Sequence, residues 1–211
     1  MSSISQNIAA IRATLPRGVQ LVCVSKFHPT EAILEAYNAG ERDFGESRVQ
    51  ELCAKQLQLP KDIRWHFIGH LQTNKVRQIV PFVYLIHSVD SVHLMETINT
   101  EAARINRVVN ILLEVHTANE TTKSGFLPQE IKMLDLDQYT NLKVCGLMTM
   151  ATNTDDEAEI HRCFRLLNSL ADSDKHFLIR SMGMSDDYLL AIQDGANMVR
   201  IGTDIFGARQ Y

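Results

Sequence analysis

The sequence predicts one (β/α)8 barrel spanning residues 1–211, and three observations predict it. Short apolar, β-rich runs alternate with helix-like stretches eight times along the chain. Alternating β and α elements imply a parallel sheet, and eight units in 211 residues suit a closed barrel better than the alternative, a doubly wound open sheet. No Gly/Ser linker, low-complexity tract or long charge run marks a domain boundary.

The elements follow in order. A helix over residues 4–14 precedes the first strand and is expected to cover barrel wall left bare after the eighth. The first strand is expected over 21–26, with Thr30 capping a helix that stops at Gly40, a favourable residue just past a helix end. The second strand, 42–45, is short and leads into a helix over 46–58, which Glu46 opens as a dipole-favoured carboxylate. The third strand, 64–69, precedes a helix over 72–80. The fourth, 83–89, precedes a helix over 91–105 capped by Ser91. The fifth, 108–115, is followed by a long loop and a helix over 128–136 that begins on Pro128. The sixth, 142–148, precedes a helix over 156–170. The seventh, 176–180, precedes a helix over 186–194, which Asp186 and Asp187 favour electrostatically and Gly195 stops; the eighth covers 198–202.

Composition narrows the function. Hydrophobic residues make up 45% and charged residues 22%, enough apolar content to bury a substantial core. The formal net charge of −4 does not favour nucleic acid, whose binders usually carry a basic surplus. Cys23, Cys53, Cys145 and Cys163 contain no C-x-x-C pair, and reduced thiols in a reducing compartment account for them. Residues 1–12 show no secretory pattern, and no stretch approaches the roughly 18 apolar residues of a membrane span. A cytoplasmic protein with no membrane contact is expected. His66 and His70 are four apart but not on one helical face, so no metal site is expected.

In a barrel, functional groups gather where strands end. Lys26 ends the first apolar strand; burial there would favour the neutral amine that Schiff-base chemistry needs, although a lysine snorkelling to the rim is the plainer reading. The loops after strands seven and eight carry Ser181, Gly183 and Ser185, then Gly202 and Thr203. Small and hydroxyl-bearing residues there suit a phosphate, and Ser185 is also a candidate helix cap; turns are the alternative. Arg200 lies within strand eight and faces the same way as Gly202, either toward a ligand or into an ion pair between strands. After strand three, Gln72 and Asn74 are candidate donors into the mouth, while His66 reads first as a structural residue. Lys123, in the loop after strand five, is a candidate anion binder or aldehyde acceptor, or a plain surface lysine.

Taken together, Val24-Ser25-Lys26, Phe44-Gly45-Glu46, Val49-Gln50-Glu51, the run from His66 to Lys75, Lys123-Ser124-Gly125, Gly146-Leu147-Met148, the run from Ser181 to Asp187 and the run from Val199 to Gly207 resemble the pyridoxal phosphate homeostasis protein family. The resemblance covers nearly the whole chain in family order. It implies a fold-type III barrel similar to the N-terminal domain of alanine racemase, with pyridoxal 5′-phosphate (PLP) as cofactor and Lys26 as its Schiff-base lysine. It implies that Ser181, Gly183, Ser185, Gly202 and Thr203 surround the phosphate, that Arg200 faces the pyridine nitrogen, and that Asn74 and His66 lie nearby. A cation at the ring nitrogen weakens the ring as an electron sink, which suits a carrier better than a catalyst. The chain departs from the family at Ser47-Arg48, where Asn-Tyr is common, and at His28, where lysine is common. The basic tail of some members is also absent after Arg209.

The leading expectation is a monomeric, non-enzymatic PLP carrier that buffers the cofactor or hands it to apo-enzymes. A slow PLP-dependent amino-acid racemase is the alternative; it needs a base on each face of the cofactor, and only Lys26 stands out. A phosphate-binding barrel enzyme without PLP is a third.

Overall fold

The computed structural model of the protein describes residues 3–119 and 124–208. Eight parallel strands close into a barrel in chain order: β1 (Gln20–Val24), β2 (Asp43–Glu46), β3 (Arg64–Phe67), β4 (Leu85–Val89), β5 (Val109–Glu114), β6 (Leu142–Met148), β7 (Ile179–Ser181) and β8 (Met198–Ile201). Closure comes from β8 pairing with β1, Leu21 opposite Val199 and Val22 opposite Arg200. The expected barrel is therefore the observed one.

Two apolar layers follow from strand alternation. Outward side chains such as Leu21, Phe44, Phe67, Ile86, Ile111 and Val199 pack beneath the helices in the main core. Inward side chains Val22, Leu85, Leu112, Met148 and Met198 form a smaller plug in the barrel. That plug shares the interior with buried polar side chains, including Asp43, His66, His87, Ser181 and Arg200.

The helices are α1 (Ile4–Thr14), α2 (Thr30–Asn38), α3 (Val49–Gln58), α4 (Val76–Ile79), α5 (Val92–Arg104), α6 (Pro128–Ile131), α7 (Glu157–Ala171), α8 (Tyr188–Gln193) and α9 (Thr203–Phe206). α1 packs against α2 and α9, as its predicted covering role requires. Ile8 and Ile11 are buried there, Asn7 donates to the Ile205 carbonyl at 2.9 Å, and Arg12 grips Glu41 with two hydrogen bonds. Ser91 caps α5 by accepting from the Leu94 amide, and Pro128 starts α6, both as expected.

Several boundaries differ. Glu46 does not open a helix: it is the last residue of β2, fully buried, and α3 begins at Val49. Thr30 is the first residue of α2 rather than its cap; Pro29 holds that position without a side-chain bond. The helix expected over 72–80 is a 3-10 turn (Thr73–Lys75) followed by α4. The seventh strand starts at Ile179, three residues late, with Leu178 exposed. Ser185 does not cap α8: Asp187 precedes that helix and its carboxylate accepts from the Met184 amide at 2.6 Å.

Candidate functional site

β1 stops at Val24, so Lys26 sits two residues beyond it on a turn closed by the His28 amide donating to the Ser25 carbonyl at 3.1 Å. Lys26 is half-buried. The next residue, Phe27, has φ +67°, a left-handed conformation that a bulky residue adopts only when its surroundings hold it there.

Those surroundings are a buried charged cluster. The Lys55 ammonium, reaching from α3, donates to the Ser25 carbonyl at 2.8 Å, to Glu46 Oε1 at 2.7 Å and to Glu51 Oε1 at 2.6 Å. The Ser25 hydroxyl donates to Glu46 Oε1 at 2.6 Å, and the Phe27 amide donates to Glu51 Oε1 at 2.7 Å. Both neighbours of Lys26 thus donate directly to carboxylates, and those two carboxylates share one ammonium. Burial pushes the Glu46 carboxyl up to about 7 against the opposing pull of Lys55 and Ser25. Its second oxygen, Oε2, is buried with no hydrogen-bond partner among the described residues. Arg48, in place of the family's usual tyrosine, lies over the Phe27 ring at 4.6 Å, and His28 stacks on Phe206 of α9 at 5.0 Å. Sequence reading missed this clamp. Its one visible trace is Glu51 and Lys55, four apart on α3.

The loop after β8 meets this turn. Val24, Lys26, His28, Gly202 and Thr203 line one shallow hollow, so the lysine and part of the candidate phosphate loop do come together. A Cβ at Gly202 would lie 3.1 Å from the Val24 carbonyl oxygen, so glycine keeps β8 tight against β1 beside Lys26. Thr203 is exposed and Ser185 half-buried. Gly183 takes φ +93°, and a Cβ there would lie 2.7 Å from that of Ala191, so the loop folds down on α8 only with glycine.

Ser181 is different. It is fully buried inside the barrel, and its hydroxyl accepts from Arg200 Nη1 at 2.7 Å and bonds to His87 Nδ1 at 3.0 Å. This commitment argues against its hydroxyl as a phosphate donor. Arg200 is buried too, and it donates to the Ser181 and Thr149 carbonyls at 2.7 and 2.9 Å. These bonds replace the ion pair considered for it. Burial lowers the guanidinium to about 10, opposed by Asp187 and Glu114, which leaves it cationic at neutral pH.

His66 lies deep in the barrel between Asp43 and His87 rather than at the mouth, in keeping with the structural reading. Asn74 is exposed on the 3-10 turn. The hollow beside that turn is lined by Ser47, Arg48, His70, Gln72 and Lys75. Lys123 lies outside the described residues. A cavity of about 590 Å³ opens at the opposite end of the barrel, among strand starts such as Gln20, Asn110, Lys143 and Met198, and holds none of the predicted site residues. Among the described residues, no group of three or more His, Cys, Asp or Glu side chains is placed to share a metal ion. No helix of these residues is long and apolar enough to cross a membrane.

Comparison with known proteins gives one consistent answer. The model of the alanine racemase N-terminal domain family matches residues 1–210. A "Pyridoxal phosphate homeostasis protein" of Schizosaccharomyces pombe is 37% identical over 99% of this chain and 94% of its own length. PipY of Synechococcus elongatus, solved without PLP, is 38% identical with a TM-score of 0.91, covering 97% of this chain and all of that one. The structure of the same protein with PLP bound superposes with a TM-score of 0.87 at 37% identity and the same coverage.

Proposed function

The chain belongs to the alanine racemase N-terminal domain family, among its pyridoxal phosphate homeostasis proteins, and from that premise we propose that it holds PLP on Lys26 and buffers or hands over the cofactor in the cytoplasm. The observation that carries the reading is the shared hollow of Lys26, Gly202 and Thr203, on a barrel like that of a relative solved with PLP bound. The residues fit the group. A half-buried amine sits on a clamped turn, and the adjoining loop has a glycine where a side chain would crowd Val24.

When bound, PLP supplies an aldehyde that a lysine amine captures with loss of one water, and a phosphate that anchors it. The chain's own residues do the rest. The Glu46–Lys55–Glu51 cluster orients the turn that carries Lys26. Gly183, Ser185, Gly202 and Thr203 hold the phosphate. Ser181 takes a different part from the one its resemblance implies, holding Arg200 from below. Arg200, on β8, presents a fixed positive charge toward the ring nitrogen. Asn74 and His70 belong to the rim, and the protein acts as a monomer that gives its cofactor to apo-enzymes.

A handover experiment tests this. The protein is loaded with PLP, freed of excess and mixed with an apo-enzyme while a scavenger removes free PLP. The expected result is reactivation of the apo-enzyme despite the scavenger, with none from Lys26→Ala carried through the same loading. Reactivation abolished by the scavenger would reduce the role to passive storage. Steady alanine racemisation that disappears in Lys26→Ala would instead favour the racemase.

A further inference from the structure

The barrel interior holds a continuous line of polar contacts that runs from one end to the other. At the strand-start end, Arg64 donates to both oxygens of Asp43, from Nε at 2.7 Å and from Nη2 at 2.5 Å. Asp43 Oδ1 meets His66 Nε2 at 2.9 Å; His66 Nδ1 meets His87 Nε2 at 2.9 Å; His87 Nδ1 meets Ser181 Oγ at 3.0 Å. Arg200 Nη1 donates to that same hydroxyl at 2.7 Å and Nη2 to the Thr149 carbonyl at 2.9 Å. The members come from β2, β3, β4, β7 and β8. Both imidazoles are fully buried, and Ser181 is as well.

The partners allow only one economical arrangement of protons. Burial would push Asp43 up, but the hydrogen bonds of Arg64 and His66 outweigh it and hold the carboxyl well below its usual range, so it accepts. His66 therefore carries its proton on Nε2. Burial holds both imidazoles below their usual pKa, so each is neutral, and His66 Nδ1 is an acceptor. His87 must then donate from Nε2 and accept at Nδ1. Ser181 must donate its hydroxyl proton to His87 and use a lone pair to accept from Arg200. Running the chain the other way would place a charged imidazolium in the barrel and leave the Ser181 proton without this acceptor.

We infer that this one-way chain, Arg200 to Ser181 to His87 to His66 to Asp43, is what fixes the Arg200 guanidinium as an immobile donor beneath the cofactor, and that Ser181, His87, His66 and Asp43 are positioning residues for it. The inference rests on the cofactor reading above for its functional half. Its physical content is that the cation and the carboxylate at the two ends polarise every bond between them in the same sense. The orientation of Arg200 then depends on groups that never touch the cofactor. One of them, Asp43, is held by Arg64, whose side chain is 46% exposed at the far end of the barrel.

The test begins with the protein free of cofactor. Ring-nitrogen NMR of ¹⁵N-histidine protein, assigned with His66→Gln and His87→Gln, is expected to show both rings neutral and protonated on Nε2. Ser181→Ala is expected to shift the ring nitrogens of His66 as well as those of His87, although Ser181 touches only the second. With PLP added, Ser181→Ala is expected to move the absorption maximum of the bound cofactor and to weaken its binding, because the Arg200 guanidinium loses the hydroxyl that orients it. A charged or Nδ1-protonated His66 or His87 in the wild-type protein would overturn the chain. So would an effect of Ser181→Ala that stops at His87, or an unmoved absorption maximum. Failure of the wild-type protein to bind PLP would overturn the cofactor reading instead. The two failures are distinguishable because the tautomers are read without cofactor.

Discussion

At the scale of single residues, the candidate site is governed by burial of charge. Lys26 was legible because a lysine closing an apolar strand is unusual and because the surrounding motifs agree with a family. The clamp that holds its turn was not. Glu46 reads as a helix opener when strand two is drawn one residue short, and nothing in the sequence marks Lys55 as buried, yet it is 5% exposed. The clamp makes a pH prediction. Glu46 titrates from 4.5 in the unfolded chain to about 7 in the fold. A raised carboxyl pKa contributes stability that is fully present below the unfolded value and is lost as pH rises through the folded one. Urea unfolding at two pH values bracketing that window should therefore show the wild type losing more stability toward neutral pH than Glu46→Gln does. Equal slopes would remove Glu46 from the account. Ser181 teaches a related lesson. A serine at a strand end looks like a phosphate ligand, but strand parity sets it on the inward face with Ile179, where a histidine and an arginine claim its hydroxyl.

At the scale of elements, the strong signals held and the weak ones moved. The boundaries of α1 and β6 fall where periodicity put them, and α5 and α7 within a residue of it, because each has a clear apolar face or run and both α5 and α7 have side-chain caps, Ser91 and Asp156. β7 began late because Phe177 is core without being strand, a distinction hydropathy cannot make. The stretch after β3 carries Gly69 four residues before the 3-10 turn, but no Pro or Gly lies within residues 72–80 to announce that the first turn of the expected helix tightens. The loop after β7 is the element whose failure is most predictable. Gly183→Ala forces a side chain onto φ +93° and into Ala191 and Tyr188. A loss of about 1–3 kcal/mol in urea unfolding is expected, with weaker PLP binding. An unchanged midpoint with unchanged binding would show that this turn neither strains nor supports the site.

At the scale of the whole molecule, the barrel separates its two ends. Loops of β1 and β8 build the hollow around Lys26, while the large cavity at the other end shares no residue with it. The apolar plug and the polar chain lie between them. Closure in chain order was legible from eight alternations alone, whereas the interior chain was not, since its members lie on five strands and meet only once the sheet has closed. The central claim is that Lys26 is where the cofactor is held. The most direct measurement is borohydride reduction of the PLP-loaded protein, followed by intact mass and peptide mapping. The account predicts a yellow protein that bleaches on reduction, gains the mass of one reduced cofactor, and carries it on the peptide containing Lys26. A label on another lysine, or a protein that stays colourless and unmodified with excess PLP, would contradict it.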